Sequence, residues 1–118
     1  MIHDPAGRIS LHHNPERVRV WADDTLLADT RAAIELRETD YPHRQYIPRQ
    51  DVVMGRLLPS PTLTHCPFKG DANYFSIELS GEKLTDAVWS YEQPFEAVAE
   101  IAGYLAFDTR VVEETIGE

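Results

Sequence analysis

The sequence predicts a mainly β domain built from small twisted sheets, a sandwich or open barrel, with one short α-helix near 94–102. Three observations carry that expectation. Several short runs alternate polar and apolar side chains, the period of a half-buried strand. Each run is bounded by Gly, Pro, Asp or Asn. Only the stretch after Pro94 has apolar residues at helical spacing. At 118 residues the chain has room for one domain, 1–118, around a single core.

Residues 1–16, with His3, Pro5, Gly7, His12, His13 and Pro15, read as an irregular N-terminal segment. Arg17-Val18-Arg19-Val20-Trp21 alternates as a strand should. Ala22-Asp23-Asp24-Thr25 then turns the chain into a returning strand at Leu26 to Asp29. Ala32 to Glu38 alternates Ile34 and Leu36 with Glu35 and Arg37 and reads as a strand, although its composition favours helix. Tyr41-Pro42 and Tyr46-Ile47-Pro48 are extended, because a residue before proline is pushed out of the α region. Asp51 to Leu58 is either a short strand or a turn of helix, and Pro59-Ser60-Pro61-Thr62 should break it.

The clearest hairpin follows. Tyr74 to Leu79 sets Phe75, Ile77 and Leu79 on one face and Tyr74, Ser76 and Glu78 on the other. Ser80-Gly81-Glu82-Lys83 turns, and Leu84 to Tyr91 returns with Thr85, Ala87, Trp89 and Tyr91 on a shared face. Pro94 then opens a helix whose stripe is Phe95, Val98, Ile101 and Ala102, closed by a left-handed Gly103. Tyr104 to Phe107 is a last strand, and the acidic tail 113–118 is expected to fray.

Composition narrows the partners. Acids and bases cancel over residues 1–70, so the whole net charge of −9 arises beyond them. Such a surface repels a phosphate backbone, which argues against nucleic acid. No apolar run approaches the ~18 residues of a membrane span, and the N-terminus has neither the basic nor the apolar part of a signal peptide. A cytoplasmic location is the default expectation. One cysteine makes neither an internal disulfide nor a multi-thiolate zinc site, and the five histidines lack metal-ligand spacing, so no metal is expected. No cofactor is indicated.

The candidate site is Cys66-Pro67-Phe68-Lys69-Gly70, which holds the single cysteine and one of two lysines. A thiolate at Cys66 would be a nucleophile if His65 or Lys69 turned toward the sulfur; otherwise the side chain only packs. Gly70 permits close backbone approach, and Lys69 beside it suits a carboxylate or phosphate on a small ligand. The alternative for Lys69 is an ion pair with Asp51 or Glu38. Asp71 would repel phosphate, and the stretch lacks the remaining features of a P-loop. Trp89 and Tyr91 lie two residues apart, and Tyr74 lies on the pairing strand. Three polar-tipped rings in one cleft would wall an apolar pocket and orient a ligand.

Tyr46-Ile47-Pro48-x-x-Asp51-Val52, Cys66-Pro67-x-Lys69-Gly70-x-Ala72-x-Tyr74, Trp89-x-Tyr91-x-x-Pro94 and Ala106-Phe107 together resemble a bacterial family. It is domain of unknown function 427, also known as a nucleotidyltransferase-type domain. The resemblance runs from about Arg17 to Phe107 and implies a β-tent-like fold. That fold is thought related to zinc-bearing domains, whose paired cysteines this chain lacks. It also places Glu38 and Asp51 near the cleft as possible acid or base. No Gly-Ser followed by a spaced pair of aspartates is present to support nucleotidyl transfer.

Beside a nucleotidyl-transfer enzyme, the further alternative that the resemblance implies, two functional expectations follow. One is a small, anionic molecule bound by Tyr46, Cys66, Lys69, Tyr74, Trp89 and Tyr91, with or without catalysis. The other is a non-catalytic module whose acidic C-terminal half engages a basic partner or a second copy, a homodimer.

Overall fold

The computed structural model describes residues 8–117. The chain is mainly β, as expected: ten strands form three open antiparallel sheets, and only short 3-10 turns interrupt them. No helix among the described residues is long and apolar enough to cross a membrane.

The first sheet has the order β1 (Ile9–Asn14), β4 (Ala33–Glu38), β5 (Arg44–Tyr46). The second has the order β10 (Glu113–Ile116), β2 (Val18–Ala22), β3 (Thr25–Thr30). The third runs β6 (Leu57–Cys66), β7 (Gly70–Leu79), β8 (Glu82–Ser90), β9 (Leu105–Phe107). Isolated bridges Ala28–Val52 and Ile47–Leu105 tie the sheets together.

The third sheet separates two apolar clusters. Phe75, Ile77 and Leu79 pack with Val18, Val20, Leu27 and Phe107. From the opposite face Ala72, Tyr74 and Trp89 join Ile9, Leu11, Ile34 and Leu36. The alternation read along β7 therefore describes a strand buried on both sides, with the larger aliphatic set on one face. Each fully buried aliphatic or aromatic side chain stabilises the fold by roughly 1.5–3 kcal/mol.

Several local expectations need correction. Part of the segment expected to be irregular is β1: Ile9 and Leu11 are buried and alternate with Ser10 and His12, a signal masked by the neighbouring Pro and Gly. Residues 1–7 lie outside the described residues. The expected frayed tail is β10, paired antiparallel to β2 from Glu113–Trp21 to Ile116–Val18. Of the two readings of Asp51 to Leu58, the turn of helix holds for its centre: the 3-10 turns Arg49–Asp51 and Met54–Arg56 precede β6, which takes Leu57 and Leu58.

Pro59-Ser60-Pro61-Thr62 bulges β6 without ending it. The β6–β7 register shifts between Pro59 and Leu63. β6 is an edge strand, where a missing proline N–H costs no ladder bond.

The expected α-helix near 94–102 is a 3-10 stretch, Glu96–Ile101, broken at Val98 by φ −125° and ψ 27°. Val98 and Ile101 are buried while Phe95 and Ala102 are exposed. An i, i+3 pair eclipses in a three-residue turn, so two anchors suffice for 3-10 where an α stripe needs more. Gly103 does take the expected left-handed conformation, φ 75°.

A second bulge lies in β8. Its pairing with β7 shifts between Phe75 and Ile77, and Asp86 there has φ 55°. The shift carries Ala87 into the cluster with Val88, so it does not share the Trp89 face. Asp86 Oδ2 accepts the Thr62 hydroxyl at 2.7 Å, joining the two bulges.

Glu114 on β10 stands opposite Val20 and has a buried carboxyl oxygen without a hydrogen-bond partner. Burial pushes its carboxyl up to about 7, against the pull of Arg44. Between the usual 4.5 and about 7 the folded chain holds a proton that the unfolded chain releases, so stability falls as pH rises through this window. The depressed carboxylates Asp29, Glu35, Asp86, Glu92 and Asp108 act in the opposite sense, below their usual range. Urea midpoints measured against pH should therefore decline across that window in the native chain. Glu114→Gln should flatten the decline and be the more stable form at pH 8.

Candidate functional site

A cavity of about 460 Å³ opens between the inner faces of the first and third sheets. One wall comes from β4 and β5. Leu36 and Glu38 are two apart on β4, Arg44 and Tyr46 two apart on β5, and Arg44 pairs with Leu36. The strand period thus puts all four on one face. The facing wall is Cys66 at the end of β6, Lys69 in the turn, Tyr74 on β7, Trp89 on β8 and Tyr91 just beyond it. Asp86 enters from the β8 bulge, and Asp108 with Arg110 follows β9.

The six residues Tyr46, Cys66, Lys69, Tyr74, Trp89 and Tyr91 accordingly border one recess, together with Glu38. Tyr74 pairs with Trp89 across β7 and β8, their ring centroids 6.5 Å apart. The Trp89 indole N–H donates to the Tyr46 hydroxyl at 3.3 Å, and the Tyr46 and Tyr91 rings lie 6.3 Å apart. Asp51 is not among them. It sits in a 3-10 turn and accepts the Thr30 hydroxyl at 2.7 Å, a structural role.

Of the two expectations for Lys69, the structure shows the ion pair, with Glu38 and not Asp51 as the partner. The residue is 9% exposed, and its ammonium contacts the Glu38 carboxylate at 2.9 Å. The turn folds inward because Gly70 takes φ 110° and packs against the backbone of Gln93 and Pro94, while Phe95 N–H donates to the Lys69 carbonyl at 2.9 Å. A side chain at Gly70 would be strained there. The ion pair therefore bridges the turn of the third sheet to the end of β4 in the first.

His65 points away from Cys66, as adjacent strand residues do. Its Nδ1 lies 2.8 Å from Asp71, on the other side of the hairpin, so it cannot activate the thiol. Cys66 is a free, half-buried thiol on the cavity wall. Burial pushes Tyr46 up to about 12 and raises Tyr91 as well, so both phenols stay protonated at neutral pH. Among the described residues no group of three His, Cys, Asp or Glu side chains could hold a metal ion.

The sequence reading omitted Arg44, Asp86, Asp108 and Arg110. Arg44 had a usable signal, since it lies two residues before Tyr46 on an extended segment and must share its face. Asp86 had none, because the bulge that turns it inward is set by pairing. Arg110 is locked to Asp108 by two hydrogen bonds, at 3.0 and 2.8 Å.

Removing the Lys69 ammonium strands a buried carboxylate. Lys69→Met should destabilise the fold by about 3–5 kcal/mol in chemical denaturation, and adding Glu38→Leu should recover most of that loss. Equal midpoints for the single and double variants would show that the pair carries no such coupling.

No curated protein matches this chain. Residues 10–118 match the family described as Domain of unknown function (DUF427). With the match running through every strand that lines the recess, the chain belongs to that family.

Proposed function

We propose that this domain binds a small organic molecule in the recess between the β4–β5 and β6–β8 walls. The carrying observation is convergence. Side chains from β4, β5, β6, the Cys66–Gly70 turn, β7, β8 and the loops beside them border one open cavity, and five of them, Tyr41, Tyr46, Tyr74, Trp89 and Tyr91, are aromatic rings with polar tips. A volume of about 460 Å³ falls within the size range of ligand pockets. Aromatic walls with few polar groups favour a flat, partly apolar body oriented by hydrogen bonds. Asp86 adds support: a non-glycine residue held at φ 55° on the cavity border is the kind of strain that clusters at functional sites. Since Lys69 is already neutralised by Glu38, an anionic ligand would have to find its positive partner elsewhere.

A thermal-shift and NMR fragment screen tests this reading, because a ligand that binds only the folded state raises apparent stability by mass action. Hits should slow alkylation of Cys66 and perturb the Trp89 indole resonance. Trp89→Leu should keep the native circular dichroism yet weaken those hits by about tenfold or more. Hits that leave Cys66 alkylation and the indole unchanged would remove the recess from consideration.

A further inference from the structure

The cavity carries a surplus of hydrogen-bond donors. Tyr91 is 6% exposed and lines the cavity, and its hydroxyl has no hydrogen-bond partner among the described residues. Tyr46 is 2% exposed; its oxygen accepts the Trp89 N–H, and among the described residues nothing accepts its own O–H proton. Arg44 lies on the same strand face as Tyr46, with its guanidinium 5.0 Å from the Trp89 ring centroid. One of its N–H groups reaches the Phe107 carbonyl at 3.2 Å. Among the described residues no carboxylate stands within ion-pair distance of it; Asp108 and Glu114 act on it only from further off.

The cavity's carboxylates are each held by at least one partner: Glu38 by Lys69, Asp108 by Arg110, and one oxygen of Asp86 by Thr62, the other Asp86 oxygen being buried without a hydrogen-bond partner. Donors that open onto the cavity without a protein acceptor suit a ligand group that brings oxygen lone pairs. A planar guanidinium favours the planar two-oxygen fork of a carboxylate. A dianionic phosphate would sit among Glu38, Asp86 and Asp108, whose repulsion works against a second negative charge.

Resting on the small-molecule reading above, we infer that the ligand is a carboxylate on a flat, unsaturated body, its oxygens facing Arg44 and the Tyr46 and Tyr91 hydroxyls and its body lying along Tyr74 and Trp89. Burial, which keeps both phenols protonated, is consistent with their acting as donors.

Titration of the full chain with benzoate and cinnamate, with benzyl and cinnamyl alcohol, and with phenyl phosphate, followed by the Trp89 indole resonance, tests this. The carboxylates should bind about tenfold or more tightly than the matching alcohols, as expected for hydrogen bonds to a charged group. Tyr91→Phe should erase most of that advantage, weakening the carboxylates more than the matching alcohols. Carboxylates no tighter than alcohols, phenyl phosphate tighter than benzoate, or an unaffected Tyr91→Phe would overturn the carboxylate assignment and leave the pocket standing. Failure of every probe to move the indole would overturn both.

Discussion

The buried contact between Lys69 and Glu38 is the constraint on which the recess depends. It joins the inward-folded turn of the third sheet to the last residue of β4 in the first. Both side chains are close to nine-tenths covered, so each charge is held by the other in a setting that water reaches poorly. Desolvation makes such a pair a weak source of net stability but a strong selector of geometry: any arrangement that separates the two leaves a bare charge inside. The sheets are thereby held at a spacing that leaves the recess open, instead of closing into one continuous core.

The paired bulges serve the same end from the other side of the sheet. Both strands flanking β7 lose register within a few residues of each other, β6 opposite Tyr74, between Pro59 and Leu63, and β8 opposite Ser76, between Leu84 and Val88. Asp86 and Thr62 close the gap between them with a hydrogen bond, and the Asp86 N–H donates to the Ser76 hydroxyl at 3.1 Å. Bulges bend and twist a sheet locally, and here the bend falls beside the aromatic wall. The cavity is thus framed by irregularities that cost ladder hydrogen bonds, while the second and third sheets pack a continuous apolar cluster behind it.

Within this frame the polar groups sort by engagement. The carboxylates are each answered at one oxygen or more by Lys69, Arg110 and Thr62, one Asp86 oxygen being left without a partner, while the two phenols and Arg44 retain donor capacity. The acidic C-terminal half suggested from composition contributes Asp86 and Asp108 to the border, both held as ordinary depressed carboxylates.

Local pattern was enough to set the strand class, the β2–β3 and β7–β8 hairpins, and the proximity of Tyr74 to Trp89. Those features follow from two-residue alternation and short turns, which act between neighbours in the chain. The same logic failed where partners are distant. Ile9 and Leu11 become β1 only because β4 covers them, and Glu113 to Ile116 orders only because β2 offers an edge. The stretch after Pro94 stays 3-10 because tertiary packing asks for two anchors, Val98 and Ile101, and no more. The choice of Glu38 over Asp51 as the partner of Lys69, the inward turn of Asp86 and the placing of the Arg44 guanidinium by Trp89 were likewise decided in three dimensions. Each depends on which sheet faces which, and contacts between residues dozens of positions apart leave no periodicity in the sequence to read.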